Sequence, residues 1–343
     1  MTADTSIRRR ETAMPMPEVL QRPLSLPVVC APMFIASGPE LVIAQCSAGV
    51  IGSLPSLNAR PAGQVRDWLA RIEEELGKLG ATRPETPVAP FAVNLIVHRS
   101  NDRLEDDVQS CIDHKVPIVI TSLGAREDIN DAIHGYGGIV LHDVINVRFA
   151  HKAVEKGADG LIAVAAGAGG HAGTQSPFAL VREIRTWFDG PVLLSGAIAH
   201  GSSILAAQAA GADFAYIGSA FLATHEANAV DAYKDMIVAG GAGDIVYSNL
   251  FTGVHGNYLR GSIEATGLDP DNLPTSDASA MDFGSGGNTG AKVWQDIWGS
   301  GQGIGTVTRR QSVSDLVGRL RAEYVAAQRS LAQRAGDFPT ASV

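Results

Sequence analysis

One histidine, His171, stands inside a run of small residues, Ala165-Ala166-Gly167-Ala168-Gly169-Gly170-His171-Ala172-Gly173. Such neighbours leave space beside the ring, and an imidazole of pKa about 6.5 suits proton transfer at neutral pH. Removal of a proton from an acidified carbon is within its reach, as is the reverse protonation. The alternative is a histidine that only caps a helix or packs a loop. Two other stretches, Ser195-Gly196-Ala197 and Gly218-Ser219, have the residues of an anion cradle. Glycine lets backbone N–H groups approach an anion, and a helix start adds a favourable dipole. Small residues that merely permit tight turns are the alternative there.

These residues need a frame. From Val28 onward, short apolar runs alternate with amphipathic stretches. The runs are Val28–Ala31, Val50–Ser53, Phe91–Leu95, Ile118–Ser122, Gly138–Leu141, Gly160–Val164, Val192–Ser195 and Phe214–Ile217. Gln64–Leu79, Leu104–His114, Val147–Lys156 and Ser202–Ala210 read as helices between them. Short, continuously apolar strands suit a parallel sheet buried on both faces. Eight such units predict an α/β fold, a (β/α)8 TIM barrel, with an open doubly wound sheet as the alternative. Lys156-Gly157-Ala158-Asp159-Gly160 and Ala210-Gly211-Ala212-Asp213-Phe214 echo each other as αβ turns at the stability face.

In a barrel, chemistry collects at the C-terminal strand ends. Pro32-Met33-Phe34, Asn94, the His171 stretch, Ser195-Gly196-Ala197 and Gly218-Ser219 all fall there. The last two follow the seventh and eighth strands, the usual phosphate site of such barrels. After Gly218 the rhythm breaks: His225–Ala239 reads as a helix, and an irregular excursion precedes a final amphipathic helix, Ser312–Ala335. The expected division is a flexible tail over 1–22, a barrel over 23–239, a smaller inserted cap over 240–305 and a C-terminal helical segment over 306–343. A mobile stretch is expected at 284–290.

Bulk properties exclude several classes. Apolar residues make up 45% of 343, enough for a substantial core, and the formal charge of −9 disfavours nucleic acid. The cluster Arg8-Arg9-Arg10 belongs to the polar start. No apolar run reaches the roughly 18 residues of a spanning helix, and no secretory h-region is visible, so a soluble cytoplasmic protein without a membrane partner is expected. Cys30, Cys46 and Cys111 are scattered in apolar segments and read as buried thiols, with no metal-ligand spacing. No G-x-G-x-x-G fingerprint opens a βα unit.

Taken in order, several motifs resemble the 2-nitropropane dioxygenase-like, or nitronate monooxygenase, flavoproteins. They are Ala31-Pro32-Met33, Asn94, Ala168-Gly169-Gly170-His171-Ala172-Gly173, Ser195-Gly196-Ala197-Ile198, Tyr216-Ile217-Gly218-Ser219 and Trp298-Gly299-Ser300-Gly301-Gln302-Gly303. The resemblance runs from Pro27 to about Gly305 and implies an FMN-binding barrel with an inserted second domain. It places Pro32, Met33 and Asn94 beside the flavin and lets Gly169 and Gly170 approach its ring. It sets the phosphate against Ser195, Gly196, Ala197, Gly218 and Ser219, with Tyr216, Ile217 and Gln302 also at the cofactor. It puts His171 in the catalytic position as base, with O2 or NAD(P)H as second substrate.

The pattern departs in places. Asp143, after His142, occupies a cofactor-side position where the family often has lysine, and a carboxylate there would oppose charge on reduced flavin. Capping of the next helix is the other reading of Asp143. Val164, Ala197 and Tyr216 replace Gln, Gly and Gln that are common in the family. His255 and Tyr258, in the excursion, are candidates to touch substrate; His98, His114, His134, His151, His200 and His225 read as solvated. The leading expectation is an FMN-dependent oxidase of alkyl nitronates. An NAD(P)H-dependent enoyl-thioester or quinone reductase shares the scaffold, and a non-redox phosphate-binding barrel is the alternative of another class.

Overall fold

The computed structural model describes residues 14–61, 63–83, 85–276 and 296–335. Eight parallel strands form the central sheet: β1 (Val28–Cys30), β2 (Gly52–Pro55), β3 (Phe91–Ile96), β4 (Ile118–Ser122), β5 (Ile139–Val144), β6 (Gly160–Val164), β8 (Val192–Ser195) and β9 (Phe214–Ile217). They run in the order β1-β9-β8-β6-β5-β4-β3-β2. A Val29–Ile51 bridge joins the two ends, with Cys30 N–H donating to the Ile51 carbonyl at 2.7 Å. The ring is the expected barrel. The stretch expected to be mobile, 284–290, lies outside the described residues.

Alternation along each strand builds two apolar layers. Val29, Ile51, Ala92, Ile118, Ile120, Leu141, Ile162, Leu193 and Phe214 meet inside the barrel. Their neighbours, such as Val93, Val119, Val140, Leu161, Val192 and Ala215, face outward. That two-residue period is the pleat, here buried on both faces. Residues 18–20, within the segment expected as a tail, form a short 3₁₀ turn, and Leu20 packs into the inner layer.

Among the described residues ten helices precede the last: α1 (Pro39–Ser47), α2 (Gln64–Thr82), α3 (Leu104–Asp113), α4 (Glu127–His134), α5 (Val147–Glu155), α6 (Pro177–Arg185), α7 (Gly201–Ala210), α8 (Ser219–Leu222), α9 (Asp231–Ala239) and α10 (Arg260–Ala265). The helix read from His225 starts at Asp231 instead. His225 N–H is held by the Gln311 carbonyl and Asn228 N–H by that of Ala36, which keeps 225–230 out of helix. The echoed turns share one device. Asp159 accepts from the Val140 N–H at 2.7 Å, and Asp213 from the Val192 N–H at 2.8 Å, each pinning the start of a neighbouring strand.

A second, antiparallel sheet crosses the barrel mouth, in the order β10 (Ile245–Ser248), β11 (Gly256–Leu259), β7 (Gly170–His171). This is the inserted cap, and one of its strands comes from the barrel's own glycine-rich segment. The last helix, α11 (Val313–Ala335), buries Val313, Leu316, Val317 and Leu320, an i, i+3, i+4, i+7 stripe. It lies so close to α7 that a Cβ on Gly201 would sit 2.2 Å from the Tyr324 nitrogen and 2.4 Å from the Leu320 carbonyl oxygen. Gly201→Ala therefore forces α11 away, and a loss of about 1–3 kcal/mol is expected in denaturant unfolding; an unchanged midpoint would show that the helices slide apart freely.

Candidate active site

Strand parity sets the chemistry of the barrel mouth. Each inward apolar position is followed two residues later by another inward position, nearer the C-terminal end. Ala92, Ile120, Leu141, Leu193 and Phe214 are thus succeeded by Asn94, Ser122, Asp143, Ser195 and Tyr216, so a polar layer caps the apolar interior. The β5 strand runs on through His142 and Asp143 to Val144, past the polar residues that end its apolar run in sequence. Hydrogen bonds link this layer across strands. Asn94 Nδ2 donates to Ser122 Oγ at 2.8 Å, and Ser122 donates to Asp143 Oδ2 at 2.5 Å. Asp143 does not cap α5; Asn146 does, accepting from the Phe149 N–H.

Burial pushes the Asp143 carboxyl up to about 6, against hydrogen bonds from Ser122 and the Leu123 backbone that favour its ionised form. His142 points outward to Thr121, at 2.6 Å, and burial lowers its imidazole to about 4.

His171 is delivered from the other side, on β7. Gly170 and His171 pair with Asn257 and Gly256 of β11, and the next residue, Ala172, donates its N–H to the His255 carbonyl at 3.2 Å. The stretch that reads as a loop is therefore a strand, because the cap supplies it with partners. His171 Nε2 lies 3.0 Å from Thr252 Oγ1. The Thr252 hydroxyl proton goes to the Val254 carbonyl, also at 3.0 Å, so Thr252 offers His171 a lone pair. In the tautomer that donates its Nε2–H to Thr252, the basic lone pair is on Nδ1. Burial lowers the imidazole to about 4, keeping it neutral.

One cavity of about 960 Å³ collects most of the expected residues. Pro32, Met33, Asn94, Asp143, Gly169, Gly170, His171, Ser195, Tyr216, Gly218, Ser219 and His255 all line it. Five expected residues fall outside its lining among the described residues. Ile217 faces outward into the core. Gly196 is buried at φ +144, where a Cβ would meet the Ala166 carbonyl. The N–H of Ala197, expected at a phosphate, donates to the Gly167 carbonyl at 3.1 Å instead. Gln302 is exposed, and its own N–H donates to that same carbonyl at 2.9 Å. Tyr258, expected as a substrate wall, is fully buried edge-on to Phe251 in the cap's core, its hydroxyl 3.5 Å from Thr252.

The glycines divide their work. A Cβ on Gly169 would lie 2.8 Å from the Gly301 nitrogen, so its missing side chain makes room for the 299–301 segment. Gly170, at φ +65, has nothing within 4 Å of a built Cβ and opens onto the cavity. Sequence reading gave no role to Ser122, Tyr233 or Trp298 and did not pair Thr252 with His171. Ser122 was recoverable from strand parity; Thr252 opens the stretch that supplied His255 and Tyr258 as candidates, but its partner lies 81 residues away. Tyr233 and Trp298 stack at 5.0 Å along the cavity wall.

Comparison with known proteins gives this arrangement a family. The profile of nitronate monooxygenase matches residues 91–323. The chain belongs to the nitronate monooxygenase family. A nitronate monooxygenase of Paraburkholderia phytofirmans is 26% identical over 309 residues, covering 78% of this chain and 82% of the relative. A nitroalkane oxidase from Streptomyces ansochromogenes superposes with a TM-score of 0.74 at 25% identity, over 89% of this chain and 97% of the other. FabK from Thermotoga maritima shares the fold, with a TM-score of 0.73 at 24% identity over 92% and 97% of the two chains. Family membership supports a flavin-dependent oxidoreductase acting on a small molecule. Among the described residues no helix is long and apolar enough to cross a membrane, and Cys30, Cys46 and Cys111 are free and buried.

The buried groups make opposing contributions to acid stability. Unfolded histidine titrates near about 6.5 and aspartate near about 3.9. Folding lowers His142 and His171 to about 4, so the stability they contribute is lost as pH falls from about 6.5. Folding raises Asp143 to about 6, so its contribution is lost as pH rises through that value. Asp143→Asn removes the second trend. Unfolding free energy should then climb more steeply between pH 4 and 6 than in the wild type; equal slopes would place Asp143 in contact with water.

Proposed function

We propose that this protein oxidises alkyl nitronates with FMN as cofactor and O2 as oxidant, and that His171 is its proton acceptor. The observation that carries the reading is a neutral imidazole, held by Thr252, that lines one cavity with Gly170 and the polar strand-end layer. The residues present fit FMN. Gly170 offers an open backbone face, Met33 and Asn94 border the cavity, and Ser195, Gly218 and Ser219 supply hydroxyls and small residues. Met33, Asn94 and Gly170 would hold the ring, and Ser195, Gly218 and Ser219 the phosphate. Bound FMN would accept two electrons from the substrate carbon and pass them to oxygen.

The chain's own part is proton management. His171 Nδ1 takes the proton from the carbon bearing a nitro group, leaving the nitronate. Thr252 holds the ring by Nε2 so that this lone pair stays directed, and the cap excludes water from the transfer. Because the imidazole titrates near about 4, it is ready to accept a proton across the whole neutral range.

The test is anaerobic mixing of the FMN-loaded protein with 1-nitropropane and, separately, with its preformed nitronate. Both should bleach the flavin. His171→Ala should retain FMN yet slow bleaching by the neutral nitroalkane roughly 10²- to 10⁴-fold, and by the nitronate much less. The wild-type rate should stay level from pH 5 to 8, the base being unprotonated throughout. Thr252→Val should slow the nitroalkane reaction roughly 10-fold, with Thr252→Ser restoring it. Rapid bleaching by NADH or NADPH, with none by the nitronate, would replace this reading with the reductase one.

A further inference from the structure

The cavity does not end at the barrel mouth. It continues outward between α5 and the β4–α4 connection, where Leu123, Gly124 and Ala125 form the opposite wall. On the α5 side its lining includes Ile145, Phe149, Lys152 and Lys156. Phe149 and Lys152 lie three residues apart on one face of α5, with Ile145 just before the helix and Lys156 at its C-terminal end. This lining begins beside the reactive centre, for a Cβ on Gly173, two residues from His171, would lie 3.0 Å from Ile145 Cβ. It is apolar where it begins and cationic where it ends. Ile145 and Phe149 are 40% and 37% exposed and line the cavity, with the Arg148 guanidinium 4.8 Å from the centroid of the Phe149 ring.

Charge along this lining is unusual for a chain of net −9. Lys156 is already paired with Glu127 at 3.4 Å, and Glu155 also lines this arm of the cavity. Among the described residues no ion pair joins Lys152 to a carboxylate. At about 1.5 Å of rise per residue, Lys152 stands roughly 4.5 Å along the helix beyond Phe149, with the Asn146 cap and the first helical turn between it and Ile145. A ligand reaching it from His171 must therefore be an extended molecule rather than a two- or three-carbon one.

We propose that this arm is a substrate subsite, and that the preferred substrate is an amphiphilic anion. Its reactive head lies at His171, its alkyl chain over Ile145 and Phe149, and its carboxylate or phosphate end at Lys152. The inference rests on the reading of the cavity as the substrate site, and it names the class of substrate that site selects.

The experiment measures binding, so its outcome does not depend on turnover. Decanoate, decanol and decylammonium are titrated calorimetrically into the FMN-loaded enzyme and into Phe149→Ala, Lys152→Gln and Lys152→Glu. Decanoate should bind the wild type, roughly 10-fold more weakly after Phe149→Ala and roughly 3- to 5-fold more weakly after Lys152→Gln. Decanol should respond to Phe149→Ala but not to Lys152→Gln. Lys152→Glu should invert the preference, favouring decylammonium over decanoate. Decanoate binding that is absent, or indifferent to both positions, overturns the proposal. If decanoate binding follows this pattern while nitronates fail to bleach the flavin, the subsite stands and the oxidation reading falls.

Discussion

The pairing of Gly170 and His171 with Gly256 and Asn257 is the contact on which the site depends. It converts a glycine-rich connection of the barrel into a strand of the cap. Without it, His171 would hang on a segment whose glycines give the backbone the most freedom to move. With it, the imidazole is placed by backbone hydrogen bonds, and further ties reinforce them: Asn257 Nδ2 donates to the Ala168 carbonyl at 2.6 Å and the Tyr247 hydroxyl to that of Ala172 at 3.0 Å. Barrel and cap thus share one hydrogen-bonded unit. His171 comes from one and Thr252, 3.0 Å from its Nε2, from the other.

A second constraint comes from the barrel itself. Inward positions are filled by Ile, Leu, Val and Phe up to the last pleat, where Asn94, Ser122, Asp143, Ser195 and Tyr216 take over. Polar groups so placed must find partners, because burial without a hydrogen bond is costly. Asn94, Ser122 and Asp143 satisfy one another across three adjacent strands. The floor of the cavity is therefore both fixed in position and capable of facing a polar ligand.

Most of the frame was legible from the chain. Short apolar runs marked every barrel strand, and the Asp159 and Asp213 turns announced their repeat. The limits of reading were equally physical. Apolarity alone ends β5 at Leu141, whereas the strand continues to Val144 because its top faces a cavity rather than a core. Glycine was a weaker guide: Gly169 and Gly170 look alike in sequence, but one accommodates Gly301 and the other opens to the cavity. The pairing of Thr252 with His171 was invisible, since it comes only from a cap that brings distant segments together. Ala197 and Gln302 carry the right motif, yet both spend their N–H on Gly167.

The charges of the cavity follow from burial more than from ion pairs. Desolvation disfavours the charged form of both His171 and Asp143, lowering the pKa of the one and raising that of the other. At neutral pH the two leave a single negative charge, on Asp143, in the deepest part of the site. A bound anion adds to that charge and so favours the protonated carboxyl still further. The proton on Asp143 would then meet the negative charge of the ligand from below, while the neutral His171 meets its carbon from the cap. A lysine at that place would give permanent positive charge, whereas burial leaves the aspartate able to take up a proton.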